Sequence, residues 1–75
     1  MQKKANKKAK ELQTTIEFII KNSNVAISIP QIAQDVKIWL GITYPEFLIR
    51  TIVYNLYVSD NNYQLTEPNF VYYSI

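Results

Sequence analysis

Neither histidine nor cysteine occurs in the 75 residues, so imidazole bases, thiolate nucleophiles and disulfides are excluded. A structural zinc site would lack its usual ligands. The acids Glu11, Glu17, Asp35, Glu46, Asp60 and Glu67 stand singly along the chain, with no close pair to divide acid and base duties. One glycine, Gly41, cannot make a glycine-rich phosphate loop. A serine or threonine nucleophile needs a base, and only lysines could serve. The expectation is a protein that is not an enzyme and uses no cofactor and no metal.

The remaining chemistry is recognition. Arg50 can donate two bonds to a guanine edge, Asn55 can pair with an adenine edge, and Thr51 can contact bases or phosphate. Tyr44 and Tyr54 can bond phosphates or stack on unpaired bases. Lys3, Lys4, Lys7, Lys8 and Lys10 can neutralise phosphates, although a solvated, solubilising segment is an equally ordinary role. Phe47, Tyr54, Tyr57 and Ile38 are candidates for an apolar protein interface, where aromatic residues are enriched.

Charge is unevenly placed. The net +2 combines five lysines and no acid in residues 1–10 with a remainder of −3, in which Lys21, Lys37 and Arg50 face all six acids. Attraction to nucleic acid must therefore come mainly from the N-terminal segment. The division is a basic segment, 1–10, and a folded domain, 11–75. A chain this short makes one domain with a small core. No long apolar run follows the lysines and none could span a bilayer, so the expected protein is cytoplasmic and has no membrane partner.

Periodicity places these side chains. Ala5, Ala9, Leu12, Ile16, Ile19 and Ile20 recur at three and four residues, predicting a helix from about 6 to 21 that ends at Asn22-Ser23-Asn24 with a left-handed asparagine cap. Val25, Ile27 and Ile29 alternate as a short strand. Pro30 suits the first turn of a second helix over 30–40. Ile32, Ala33, Val36, Trp39 and Leu40 form its inner arc, with Trp39 expected in the core and Ile38 pointing away. Gly41 falls where a helix end needs positive φ.

Thr43-Tyr44-Pro45-Glu46 has the spacing of a capping box and opens a third helix over 44–57. Leu48, Ile49, Ile52, Val53 and Leu56 form its buried arc. At about 100° per residue, Glu46, Phe47, Arg50, Thr51, Tyr54, Asn55 and Tyr57 fall outside that arc. An alternative is that the hairpin covers this side too. Ser59 to Asn62 is a turn, and Tyr63–Thr66 and Phe70–Ile75 are strands joined by a turn at Glu67-Pro68-Asn69. Tyr72 and Tyr73 then lie on opposite faces of the hairpin.

Helix, short strand, helix, Gly-containing turn, helix and hairpin, in that order, resemble the winged helix-turn-helix family. Ile27 to Val36, Pro45 to Leu56 and Tyr63 to Ile75 carry the resemblance. Small proteins of phages, plasmids and archaeal viruses are the most similar kind. The resemblance implies an α+β fold of three helices, a short strand and a C-terminal two-stranded wing. It also implies that helix 44–57 lies in a DNA major groove while the wing touches flanking phosphates or the minor groove.

The first functional expectation is therefore DNA binding in transcriptional control or replication of a mobile element. Arg50, Thr51 and Asn55 would read duplex bases, the N-terminal lysines would hold phosphates, and a homodimer would add a second half-site. A variant binds single strands by stacking on Phe47, Tyr54 and Tyr57. The second expectation is a docking or dimerisation module using the same fold and its aromatic surface. The acidic body, Glu67 in the wing and the absence of lysine or arginine from residues 60–75 favour that alternative.

Overall fold

The computed structural model describes the backbone of residues 2–66 and 69–74 and the side chains of residues 9–66 and 69–74. Its first helix, α1, spans Gln2–Lys21, so the lysine-rich turns are helical from four residues before the expected start. Leu12, Ile16, Ile19 and Ile20 are buried along its inner stripe. At its end the backbone N–H and the side-chain Nδ2 of Asn22 both donate to the Phe18 carbonyl, at 3.0 and 2.9 Å. That side-chain bond replaces the expected left-handed cap, for among the described residues none but Gly41 has positive φ.

The strand β1 is shorter than its alternation suggested, covering only Ile27–Ser28. Val25 is exposed, and Ile29 already belongs to α2, which spans Ile29–Leu40. The cause is local. Ser28 accepts from the Gln31 N–H at 3.2 Å, satisfying one of the free donors of a helix start, and Pro30 fits the turn that follows. Gly41 ends α2 at φ 71°, its N–H bonded to the Lys37 carbonyl at 2.8 Å.

Helix α3 spans Glu46–Ser59, and the capping box does not form. Pro45 is the capping residue, in extended geometry and without a side-chain cap bond. A residue before proline is disfavoured in helical geometry; Ile29 before Pro30 accepts that cost with the Ser28 cap bond in place, whereas α3 starts after its proline, at Glu46. Glu46 bonds forward to Arg50 instead.

After α3, Asn62 N–H donates to the Asp60 carboxylate at 2.9 Å and Tyr63 N–H to the Asp60 carbonyl at 3.1 Å. This turn leads into β2, Tyr63–Thr66, and then β3, Phe70–Tyr73. The sheet is antiparallel in the order β1-β3-β2, with Ile27 opposite Val71 and Leu65 opposite Val71 from the other side. The expected turn at Glu67-Pro68 lies outside the described residues. Three helices and a three-stranded antiparallel sheet make the α+β layout of a winged helix.

The core joins the α1 stripe to Ile29, Ile32 and Val36 of α2, to Ile49, Val53 and Leu56 of α3, and to Tyr63 and Val71 of the sheet. Burying each such side chain contributes about 1.5–3 kcal/mol. Trp39 is a correction: it is 58% exposed, its ring tilted at 56° against that of a half-exposed Phe18 with 5.0 Å between centroids. It sits at the edge of the α2 arc, beside Phe18 and Ile19 of α1 and Ile27 of β1. Tyr72 and Tyr73 are both half-buried, and Tyr73 packs against the core. No helix among the described residues is long and apolar enough to cross a membrane.

Candidate nucleic-acid interface

Helix α3 is built to present one face. Its inner residues Ile49, Val53 and Leu56 are buried and Leu48 and Ile52 partly so. The opposite ridge is open: Phe47 is 68% and Tyr54 56% exposed, with Val58 exposed in the same row. The hairpin therefore leaves this side of α3 uncovered. Arg50, Thr51 and Asn55 are exposed beside the ridge. The Tyr57 ring lies 6.1 Å from that of Tyr54.

The two flanks of the ridge differ. On one, Arg50, Val53 and Tyr54 share a groove with Ile29 and with Leu65, Thr66, Asn69 and Phe70 of the wing. The wing is anchored there by the Ile29 N–H, which donates to the Asn69 carbonyl at 3.0 Å. On the other flank, Leu48, Thr51, Ile52 and Asn55 share an apolar groove with Tyr44 and with Ala9, Leu12 and Gln13 of α1. Lys10 lies three residues before Gln13, hence on a neighbouring part of the helix surface, and is exposed.

Hydrogen bonding already engages some of these groups. Arg50 Nη2 donates to Glu46 Oε1 at 3.2 Å, both side chains being about half exposed. Thr51 Oγ1 donates to the Phe47 carbonyl at 2.9 Å, which ties the hydroxyl to the helix. The described wing residues, 63–66 and 69–74, carry no charge.

The expected site residues thus fall into three groups. Arg50, Thr51, Tyr54 and Asn55 come together on one helix face, joined by Phe47 and Tyr57. Tyr44 is half-buried against the core, with a supporting place in the α1–α3 groove. Ile38 is exposed on α2 and lines neither groove. Lys3, Lys4, Lys7 and Lys8 continue the α1 backbone, but their side chains lie outside the described residues.

No known protein family, curated protein or solved structure matches this chain. The site stands on its own geometry.

Several surface residues escaped the sequence reading. Val58 follows Tyr54 by four residues and completes the ridge, a spacing that could have revealed it. Thr66 and Asn69 face Arg50 only because the hairpin folds back beside α3, which no local pattern encodes. The exposed Phe18–Trp39 pair was hidden because both residues border apolar helix stripes. Among the described residues, no group of three or more acidic side chains could hold a metal ion.

Proposed function

We propose that this protein is a cytoplasmic, non-enzymatic DNA-binding winged helix that reads duplex DNA with the exposed face of α3, in transcriptional control or replication of a mobile element. The observation that carries the reading is the flanking of that face. The wing borders it on the Arg50 side, and the helix that continues into the lysine-rich turns borders it on the Thr51 and Asn55 side.

In this arrangement α3 enters the major groove. Arg50 addresses guanine, Asn55 adenine, and Phe47 offers apolar contact to a thymine methyl group. Thr66 and Asn69 supply neutral donors to the backbone beyond Arg50. Lys10 and the lysine-rich turns of α1 before it supply the positive charge of this reading, in which each neutralised phosphate steepens the salt dependence. The body is acidic, so affinity depends on this one basic end and specificity on α3.

The test is fluorescence anisotropy with labelled duplex and single-stranded oligonucleotides at several salt concentrations. Duplex binding that weakens with salt and depends on sequence supports the reading. Tighter binding to single strands would replace it with base stacking on Phe47, Tyr54 and Tyr57.

A second reading, protein docking, is favoured by a different surface. Phe18 and Trp39 meet in the open as a tilted ring pair, bordered by Asn22, Ser23, Ile27 and Asp35, and neither lines the grooves beside α3. Self-association lost in Trp39→Ala with DNA binding intact would show the two activities to be separate.

A further inference from the structure

Resting on the reading of α3 as the DNA-reading helix, we infer that Glu46 is a specificity-determining residue that holds Arg50 for a G·C pair and keeps the helix from settling on phosphate. Both residues lie in the first turns of α3, and Arg50 lines the groove beside the wing. Arg50 Nη2 donates to Glu46 Oε1 at 3.2 Å. An arginine has five N–H donors and no acceptor. One bond to Glu46 leaves four donors on a side chain that lines the groove together with Thr66 and Asn69.

The exposed pair contributes little in water. Its effect is on the bound state. When the groove fills, water leaves and the local dielectric falls, so the carboxylate beside Arg50 acts more strongly. A phosphate brought to Arg50 would meet that carboxylate and be repelled. A guanine edge presents neutral N7 and O6 acceptors, and the paired cytosine presents an amino group that Glu46 can accept from. The same acid that weakens attraction to any backbone thus favours one base pair.

This explains the composition of α3. It has one cation and one acid four residues apart, so its surface has no net attraction for phosphate. Long-range attraction is left to the lysine-rich end of α1, and α3 discriminates. Glu46 acts through Arg50 and through its own acceptor, which makes it a positioning residue with a second, direct contact.

The experiment selects bound duplexes from a randomised pool with the full-length protein, Glu46→Gln and Arg50→Ala, then compares selected with scrambled duplexes by anisotropy. Glutamine keeps size and hydrogen-bonding capacity while removing the charge. The wild type is expected to enrich a G·C pair with a preference of roughly ten- to a hundredfold. Arg50→Ala is expected to lose it. Glu46→Gln is expected to bind scrambled duplex several-fold more tightly and to keep only a weakened G·C preference. Circular dichroism melting of each variant shows that the fold is retained. Unchanged selection and unchanged scrambled-duplex affinity in Glu46→Gln would overturn this inference and leave the DNA reading intact. Failure of the wild type to bind any duplex would overturn both.

Discussion

The ring of Tyr63 meets that of Tyr73 edge-on at 4.9 Å, and the Tyr63 hydroxyl is sealed from solvent with no hydrogen-bond partner among the described residues. The neighbouring phenol is satisfied differently: Tyr73 Oη accepts from Asn62 Nδ2 at 3.2 Å, and Lys21 Nζ sits 4.9 Å from its ring centre. Tyr63 thus anchors the first strand of the wing in the core with its aromatic body, while its polar tip is a cost. An unpaired buried hydroxyl costs about 1–3 kcal/mol.

Tyr63→Phe is therefore expected to raise stability, by about 1 kcal/mol or more, read as a higher denaturation midpoint in urea.

The same residue sets an alkaline limit. Burial first, then the charges of Glu17 and Asp60 and the neighbouring Tyr73, hold the Tyr63 phenol well above its ordinary range. The unfolded chain releases that proton near pH 10 while the folded chain keeps it, so the folded state binds more protons and its stability falls as pH rises above about 10. The fall is expected to be shallower in Tyr63→Phe, by up to about 1.4 kcal/mol per pH unit, checked by urea unfolding across the alkaline range.

Gly41 offers a test of backbone geometry alone. A Cβ built there meets nothing within 4 Å, yet φ is +71°. Gly41→Ala is expected to lower stability by about 1–2 kcal/mol through left-handed strain without any clash, and Gly41→Asn by less. Thermal melting separates the two.

Ile49 is fully buried on the inner face of α3. Ile49→Ala is expected to cost about 2–5 kcal/mol, a large share of the roughly 4–11 kcal/mol available to a domain of this size. A partly unfolded far-ultraviolet dichroism spectrum at room temperature is the expected sign.

Removing residues 1–10 and replacing Arg50 are expected to act differently on DNA. The truncation weakens binding to all duplexes and flattens the salt dependence, by about one unit of logarithmic slope per lost phosphate contact. Arg50→Ala weakens the preferred sequence most. Salt-dependent anisotropy on preferred and scrambled duplexes distinguishes them.

The helices were legible because their apolar residues recur at three and four positions, and Gly41 was legible because a left-handed helix end strongly favours glycine. The errors came where two local rules competed. Thr43 and Glu46 have capping-box spacing, but Pro45 disfavours helical geometry at Tyr44 and the helix starts at Glu46. Trp39 satisfies the α2 periodicity, yet the small core does not extend far enough to cover it. Tyr63 and Leu65 alternate alike in β2, but Tyr63 is 1% and Leu65 41% exposed, because the hairpin runs out past the core as a wing. The components of the candidate site on α3 could be read from angular position. Their neighbours on the wing and α1 depend on tertiary packing and could not.

The most direct measurement of the central claim is amide chemical-shift mapping on adding a duplex oligonucleotide to the isotopically labelled protein. The account predicts shifts concentrated at Phe47 to Asn55, at Leu65 to Phe70 and in the first three turns of α1, with Phe18 and Trp39 unmoved. Shifts centred on Phe18 and Trp39, or none at a concentration that saturates anisotropy, would contradict it.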